Sequence, residues 1–265
     1  MCLLLIAVEA HPEYRLILAG NRDEFYERPT APAAWWENGS GILAGKDLRA
    51  GGTWLGVTRT GRVAALTNYR DPSLMLPDSP SRGELVTGFL KARSSPGEHL
   101  EALSERASGY NGFNLVAGDE RGIFWYSNRG GEVRRLGPGI HGLSNHLLDT
   151  PWPKVEKSKH ALRRILEAGK DLDPEALFSM MRDESLAPDN ALPDTGVGLE
   201  WERILSAIFI RSPEYGTRST TLFFLDRRGV ATFYERTYDK DPDHPSTVHQ
   251  TFTITSDPGP FTGKG

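Results

Sequence analysis

Hydrophobic positions in this chain follow two rhythms that alternate in blocks. An apolar run over 2–9 is followed, after His11-Pro12, by Tyr14-Arg15-Leu16-Ile17-Leu18-Ala19-Gly20. Continuous apolar runs of this length, separated by a turn, predict a buried hairpin whose first strand begins at Cys2. Residues 29–36, with their prolines and tryptophans, read as loop, and short strands are expected near 42–44, 53–58 and 62–67. Beyond a loop at 71–80, Ser81-Arg82-Gly83-Glu84 and Ser95-Pro96-Gly97-Glu98 both have the spacing of a capping box, which predicts two short helices.

The period then returns to that of strands. Residues 113–117 and 123–127 flank the turn Gly118-Asp119-Glu120-Arg121-Gly122, with further strands expected near Val133 and over 140–144. Val155, Leu162, Ile165 and Leu166 mark an amphipathic helix after Pro153, and Asp173-Pro174-Glu175 starts another that ends before a loop at 188–198. A short helix is expected over 201–209. Strands at 220–225 and 230–236 are joined by Asp226-Arg227-Arg228-Gly229, and a last strand covers 248–255. The Gly- and Pro-rich residues 256–265 are expected to form a flexible tail. Helices segregated between runs of mainly antiparallel strands predict an α+β fold, two stacked sheets covered by helix layers, rather than a doubly wound parallel sheet. One domain is expected over 1–265.

Composition narrows the partners. Lysine and arginine number 31 against 35 acidic residues, a formal charge of -4, so no basic excess points to nucleic acid. Small-molecule ligands are expected, and a homo-oligomer is left open. A single cysteine excludes an internal disulfide and fits a reducing compartment. The opening apolar run has no basic leader and is cut short by Glu9, and no run approaches the roughly 20 residues of a membrane span, so a cytoplasmic chain without a span is expected. His141 and His146 fit no zinc spacing and no HExxH is present, so no metal is expected. Gly137-Pro138-Gly139-Ile140-His141-Gly142 fits GxGxxG only formally, since Pro138 and the absence of a following helix remove its context. Asn38-Gly39-Ser40 reads as a turn.

The candidate chemistry begins at Cys2. As a lone cysteine in an apolar run it is equally well a small core residue. Removal of Met1, however, would leave a thiol and a free α-amine on one carbon. Their ordinary pKa values, about 8.5 and about 7.7–8.0, let the amine serve as base for its own nucleophile. Asn21-Arg22-Asp23-Glu24 is expected at the end of the second strand, beside Cys2, where a cation would favour the thiolate or bind an anionic group. The plainer reading is a polar turn. Alternation sends Arg22 and Glu24 to one face and Asn21 and Asp23 to the other, so Arg22 and Asp23 share a site only if the strand ends or bulges there.

Three later pieces end or open strands: Thr67-Asn68-Tyr69-Arg70, Ser144-Asn145-His146 and Gly216-Thr217-Arg218-Ser219. An asparagine amide there could hold an oxyanion, and Arg218 could hold the nucleophile or an anion. Gly51-Gly52-Thr53-Trp54 offers either a close backbone approach with Trp54 as a pocket wall, or a bulge with a core tryptophan. Trp35-Trp36 could rim an apolar pocket.

Met1-Cys2, the tetrad Asn21-Arg22-Asp23-Glu24, Gly51-Gly52-Thr53-Trp54-Leu55-Gly56 and Thr67-Asn68-Tyr69-Arg70 together resemble the NRDE family, that of transport and Golgi organisation protein two. The resemblance implies a four-layer αββα fold like that of the N-terminal nucleophile hydrolases. It also implies a distant similarity to the choloylglycine hydrolase and penicillin acylase branch. On that likeness Cys2, Arg22, Asp23, Asn68, Tyr69, Asn145 and Arg218 are the expected catalytic set, with Asn21, Glu24, Trp54 and Arg70 as substrate contacts. That branch separates its arginine and aspartate by two residues, whereas Arg22 and Asp23 are adjacent, which leaves the carboxylate as Asp23 or Glu24. Two functions follow. One is a cysteine hydrolase of amide or acyl-thioester bonds that requires no cofactor; the other is a non-catalytic carrier of haem or acyl-CoA using the same pocket.

Overall fold

The computed structural model describes residues 3–37, 39–169, 171–238 and 242–255. Cys2, Asn38 and the 256–265 tail, which all carry sequence expectations, lie outside the described residues. In chain order come β1 (Leu3–Val8), β2 (Tyr14–Phe25), β3 (Thr30–Trp35), β4 (Ile42–Asp47), β5 (Leu55–Thr58) and β6 (Val63–Asn68). Helices α1 (Gly83–Lys91) and α2 (Pro96–Ser104) follow, then β7 (Phe113–Asp119), β8 (Gly122–Ser127), β9 (Arg134–Arg135) and β10 (Gly139–Leu143). The chain closes with α3 (Pro153–Glu167), α4 (Pro174–Met181), α5 (Leu199–Leu205), β11 (Tyr215–Asp226), β12 (Val230–Thr237) and β13 (Ser246–Thr253).

The apolar runs end in the middle of the molecule because both of their faces are covered. In β1, Leu4 and Ile6 face a core shared with Leu43, Val57, Val63 and Val116, whereas Leu3, Leu5 and Ala7 face Val155, Leu162, Leu177 and Phe178 of α3 and α4. A third cluster packs Leu85, Phe89 and Leu100 of α1 and α2 beneath Leu66, Phe113 and Leu115. The layers are therefore α3 and α4, a six-stranded sheet β10-β1-β2-β11-β12-β13, a seven-stranded sheet β3-β4-β5-β6-β7-β8-β9, and α1 and α2. Every strand pairing among the described residues is antiparallel. The α+β, αββα expectation holds.

Three local expectations do not. Residues expected as loop form β3, an edge strand, where proline is tolerated because one side of the ladder needs no donor. Its register against β4 shifts between Ala31 and Ala34, which frees the Ala33 amide to point away from its neighbour. Trp35 is thus a strand residue and carries the Arg59 guanidinium 3.9 Å above its ring. At α1 the capping box does not form; the N-cap is Arg82, with no side-chain cap, while Ser95 and Glu98 do form theirs at α2. Finally, β2 does not end before the tetrad: Asn21, Arg22, Asp23 and Glu24 are all inside it. Gly52 needs its missing Cβ, because one built there would lie 2.6 Å from the Gly83 carbonyl carbon where α1 begins. Among the described residues no helix is long and apolar enough to cross a membrane.

Candidate functional site

At one end of the sandwich β1 begins, β2, β6 and β10 finish, and β11 starts. The pairings Leu3 with Asn21 and Leu4 with Leu143 set β1 between β2 and β10, so the next residue of β2 is Arg22, and two residues beyond Leu143 comes Asn145. Most of the expected site residues gather at this end, on two faces of the first sheet.

On the helix face, Asn21 is fully buried and spends its amide on structure. It donates to the carbonyls of Met181 (2.9 Å) and Ile208 (2.8 Å) and accepts from Thr220 Oγ1 (2.7 Å). An expected substrate contact is therefore a tie between sheet and helix layer. Asp23 lies on the same face and accepts from Thr217 Oγ1 at 2.7 Å. Arg22 turns the other way, into the space between the sheets. The irregularity lies in the partner strand rather than in β2: Thr217 pairs with Asp23 and Ser219 with Arg22, which leaves Arg218 as the extra residue of β11. The freed Arg218 reaches along the sheet edge, and its Nη1 donates to the carbonyls of Phe25, Tyr26 and Arg28. It thereby holds the chain that follows Arg22.

The Arg22 guanidinium is 4.4 Å from the centre of the Trp54 ring and 3.9 Å from Glu24, which is half-buried and also faces Arg28 at 3.7 Å. Glu24 is thus the carboxylate beside Arg22, and Asp23 the one beside Thr217. Burial lowers the pKa of Arg22 from its ordinary value, opposed by Glu24. A guanidinium remains charged through such a shift. Trp54 is both pocket wall and core, since it is buried and its ring edge lies where a Cβ on Gly45 would stand.

Asn145, in the turn after β10, ties the first sheet to the end of β6 in the second. Its Nδ2 donates to the Asn68 carbonyl at 2.9 Å, its backbone carbonyl accepts from the Arg70 amide at 2.7 Å, and its Oδ1 takes Arg70 Nη2 at 3.3 Å. Arg70 also pairs with buried Glu202 at 2.7 Å and lies over Trp152. Asn68 therefore serves through its carbonyl, and Arg70 as a brace. Tyr69 packs its ring against His146, whose pKa burial lowers. Among the described residues no cluster of three or more His, Cys, Asp or Glu offers a metal site.

Two residues of this end carried no sequence expectation. Glu202 holds Arg70. Glu235 is buried between the sheets, where it accepts from the Ala33 amide freed by the β3 bulge (2.6 Å) and from Thr221 Oγ1 (3.3 Å). Burial pushes its pKa up to about 7, against the pull of Arg22. Its signal was in the sequence: Ala231 and Phe233 face the inter-sheet core, and alternation brings residue 235 to the same face.

Comparison with known proteins agrees with this architecture. The family described as Transport and Golgi organisation 2 matches residues 1–240. The chain is 40% identical over 279 residues to the Transport and Golgi organization protein 2 homolog of Bos taurus, covering 97% of this chain and 100% of that one. It is 40% identical over 278 residues to the Homo sapiens homolog, with 97% and 100% covered. Among solved structures, a variant of conjugated bile acid hydrolase from Clostridium perfringens superimposes with a TM-score of 0.50 at 12% identity, covering 98% of this chain and 100% of that one. At that identity the likeness is one of fold.

Proposed function

This chain belongs to the Transport and Golgi organisation 2 family, and we propose that it is an N-terminal cysteine hydrolase of amide or acyl-thioester bonds. The observation that carries the reading is the register around β1. The pairing of Leu3 with Asn21 and of Leu4 with Leu143 gathers Arg22, the next residue of β2, and Asn145, two residues past β10, at the end where β1 begins. The residue after Arg22 is Asp23, on the helix face of β2, and the proposed site sets it beside the α-amine that removal of Met1 would expose. Asp23 would orient that amine from the helix face, while Arg22 favours the thiolate from the inter-sheet face.

In this mechanism the α-amine takes the thiol proton, and the Cys2 sulfur forms a bond to the carbonyl carbon. The carbonyl electrons move onto oxygen, where an N–H donor meets them. Asn145 supplies it: its side-chain amide has two protons and gives one to the Asn68 carbonyl, leaving one to donate. Collapse breaks the bond to the leaving amine or thiolate, which receives the proton held by the α-amine. Water then attacks the acyl-enzyme, losing a proton to the α-amine, and the acid departs as sulfur regains its proton. Arg218 is a positioning residue here, since it holds the end of β2 rather than reaching the reacting atoms.

The carrier reading draws on exposed Leu74, Met75 and Leu76, on the loop that follows Asn68-Tyr69-Arg70, as an apolar surface for a ligand. The same experiment separates the two. Protein of verified N-terminus is assayed against a panel of amides and acyl-thioesters beside Cys2→Ala and Asn145→Ala. A hydrolase loses turnover in both. A carrier shows no turnover in any form, while Cys2→Ala retains its ligand.

A further inference from the structure

Behind Arg22, between the sheets, four polar atoms are buried without a hydrogen-bond partner among the described residues: Arg22 Nη1, Trp54 Nε1, Arg218 Nε and Ser219 Oγ. Three of the four residues, Trp54, Arg218 and Ser219, line one cavity of about 200 Å³, and Arg22 stacks on the Trp54 ring at its wall. Guanidinium and indole nitrogens can donate and cannot accept. What would complete this set is therefore an acceptor. A buried donor left unmatched is costly, so several together in one place are unusual in a core built only for packing.

The cavity also contains its own carboxyl group. Glu235 lines it, with one oxygen on the Ala33 amide and the other on Thr221. Its charged surroundings are few. Strand β2 brings Arg22 and Glu24, β11 brings Arg218, and Asp47 of β4 pairs with Arg28 at 2.8 Å. From β3 and β13 the lining side chains, Thr30, Ala31, Pro32 and Ser246, carry no ionisable group. Glu24 and Asp47 stand against the three cations Arg22, Arg28 and Arg218, which leaves one positive charge when Glu235 is neutral and none when it is ionised. About 200 Å³ is roughly six waters' worth of space, enough for a carboxylate with a short apolar stub.

We propose that this inter-sheet cavity is a carboxylate-binding subsite, with Trp54, Arg218 and Ser219 as donors, Arg22 supplying positive charge from behind the Trp54 ring, and Glu235 taking up a proton as the anion enters. It goes beyond the hydrolase reading, touches it through Arg22 and Arg218, and requires no turnover. A carboxylate brings a single negative charge, which the cavity accepts when Glu235 is neutral. With Glu235 ionised, the anion must either bring a proton or face a second carboxylate.

The test is made on the full chain bearing Cys2→Ala, so that its outcome is independent of catalysis. Sodium propionate is titrated calorimetrically at about pH 6 and about pH 8, in two buffers of different ionisation enthalpy, with phosphate as the contrasting anion. Saturable propionate binding, uptake of close to one proton at the higher pH, and affinity falling by about tenfold per pH unit above pH 7 are expected. Adding Glu235→Gln should remove the proton uptake and flatten the pH dependence. Adding Ser219→Ala, a small change, should weaken binding several-fold, and Arg22→Met should remove it. Thermal unfolding of each variant shows that it is folded. The proposal is overturned if propionate does not saturate the folded protein at about pH 6, if phosphate binds in its place, or if Glu235→Gln keeps the proton uptake.

Discussion

The two ends of the sandwich differ in the reverse sense to their size. Where the hairpins turn, a cavity of about 1370 Å³ opens among the β5–β6, β7–β8 and β11–β12 turns. Where β1 begins, the cavity is about 200 Å³. Yet in the large cavity the buried charge is matched. Its buried cation, Arg62, donates to the carbonyls of Phe89 and Ser94 and faces Asp119 at 3.5 Å, while Asp119 also meets Arg121 at 3.2 Å. The small one keeps Trp54, Arg218 and Ser219 unmatched, with Arg22 stacked behind Trp54 and also holding an unspent donor. The contrast teaches that unmatched, desolvated donors mark a working site better than volume does. The turn end has its buried cation matched; the β1 end keeps buried donors unmatched, which is what the proposed ligand site requires.

The sharpest way to break the contrast is to remove a donor at each end. Asn145→Ala should lower kcat by about 10²–10³-fold, the usual cost of one oxyanion donor, with a loss of stability near 1 kcal/mol. If turnover survives that change, the β1 end is not where the oxyanion forms. Arg62→Met should do the opposite. Leaving Asp119 buried with only Arg121 costs about 3 kcal/mol in urea unfolding, with turnover unchanged. Arg22→Met, which removes a cation with an unspent donor, should cost far less stability than Arg62→Met, and a cost equal to it would erase the distinction between the ends.

A smaller effect is carried by pH. Glu235 has a folded pKa of about 7, above its ordinary 4.5, so the folded state holds the proton more tightly than the unfolded chain does. Its contribution is fully present below about pH 4.5 and is lost as the pH rises through about 7, a difference of roughly 3 kcal/mol. Urea midpoints for Glu235→Gln should lack that decline, and parallel pH profiles for parent and variant would show that the carboxyl does not titrate there. Smallest is a change outside both ends. Ser95→Ala, which removes the capping box of α2, should cost about 1 kcal/mol and leave binding and turnover untouched.

How much of this was legible in the sequence follows the same division. Apolar alternation delivered the layers, because strands such as β1 are buried on both faces and read as unbroken runs. The edge strand β3 was missed since Pro29 and Pro32 read as loop, although an unpaired edge and a bulge accommodate them. The tetrad was read as a strand end because four polar residues in a row look solvated. In the fold they close β2 as strand residues, mostly buried, with Asn21 matched by Met181, Ile208 and Thr220, and Asp23 by Thr217, partners 160 or more residues away in sequence. Only the fold brings such partners together. Glu235 was different, since inward alternation from Ala231 and Phe233 already marked it.

The central claim, that the β1 end does chemistry through the residue ahead of Leu3, is tested most directly by acid-quenched intact mass measured during turnover of an amide substrate, with mapping of the N-terminal peptide. The account predicts a protein lacking Met1 that carries a hydroxylamine-labile acyl group on Cys2, building up and decaying as product forms. Turnover at the parent rate in Cys2→Ala, or product formation by a protein that retains Met1, would contradict it.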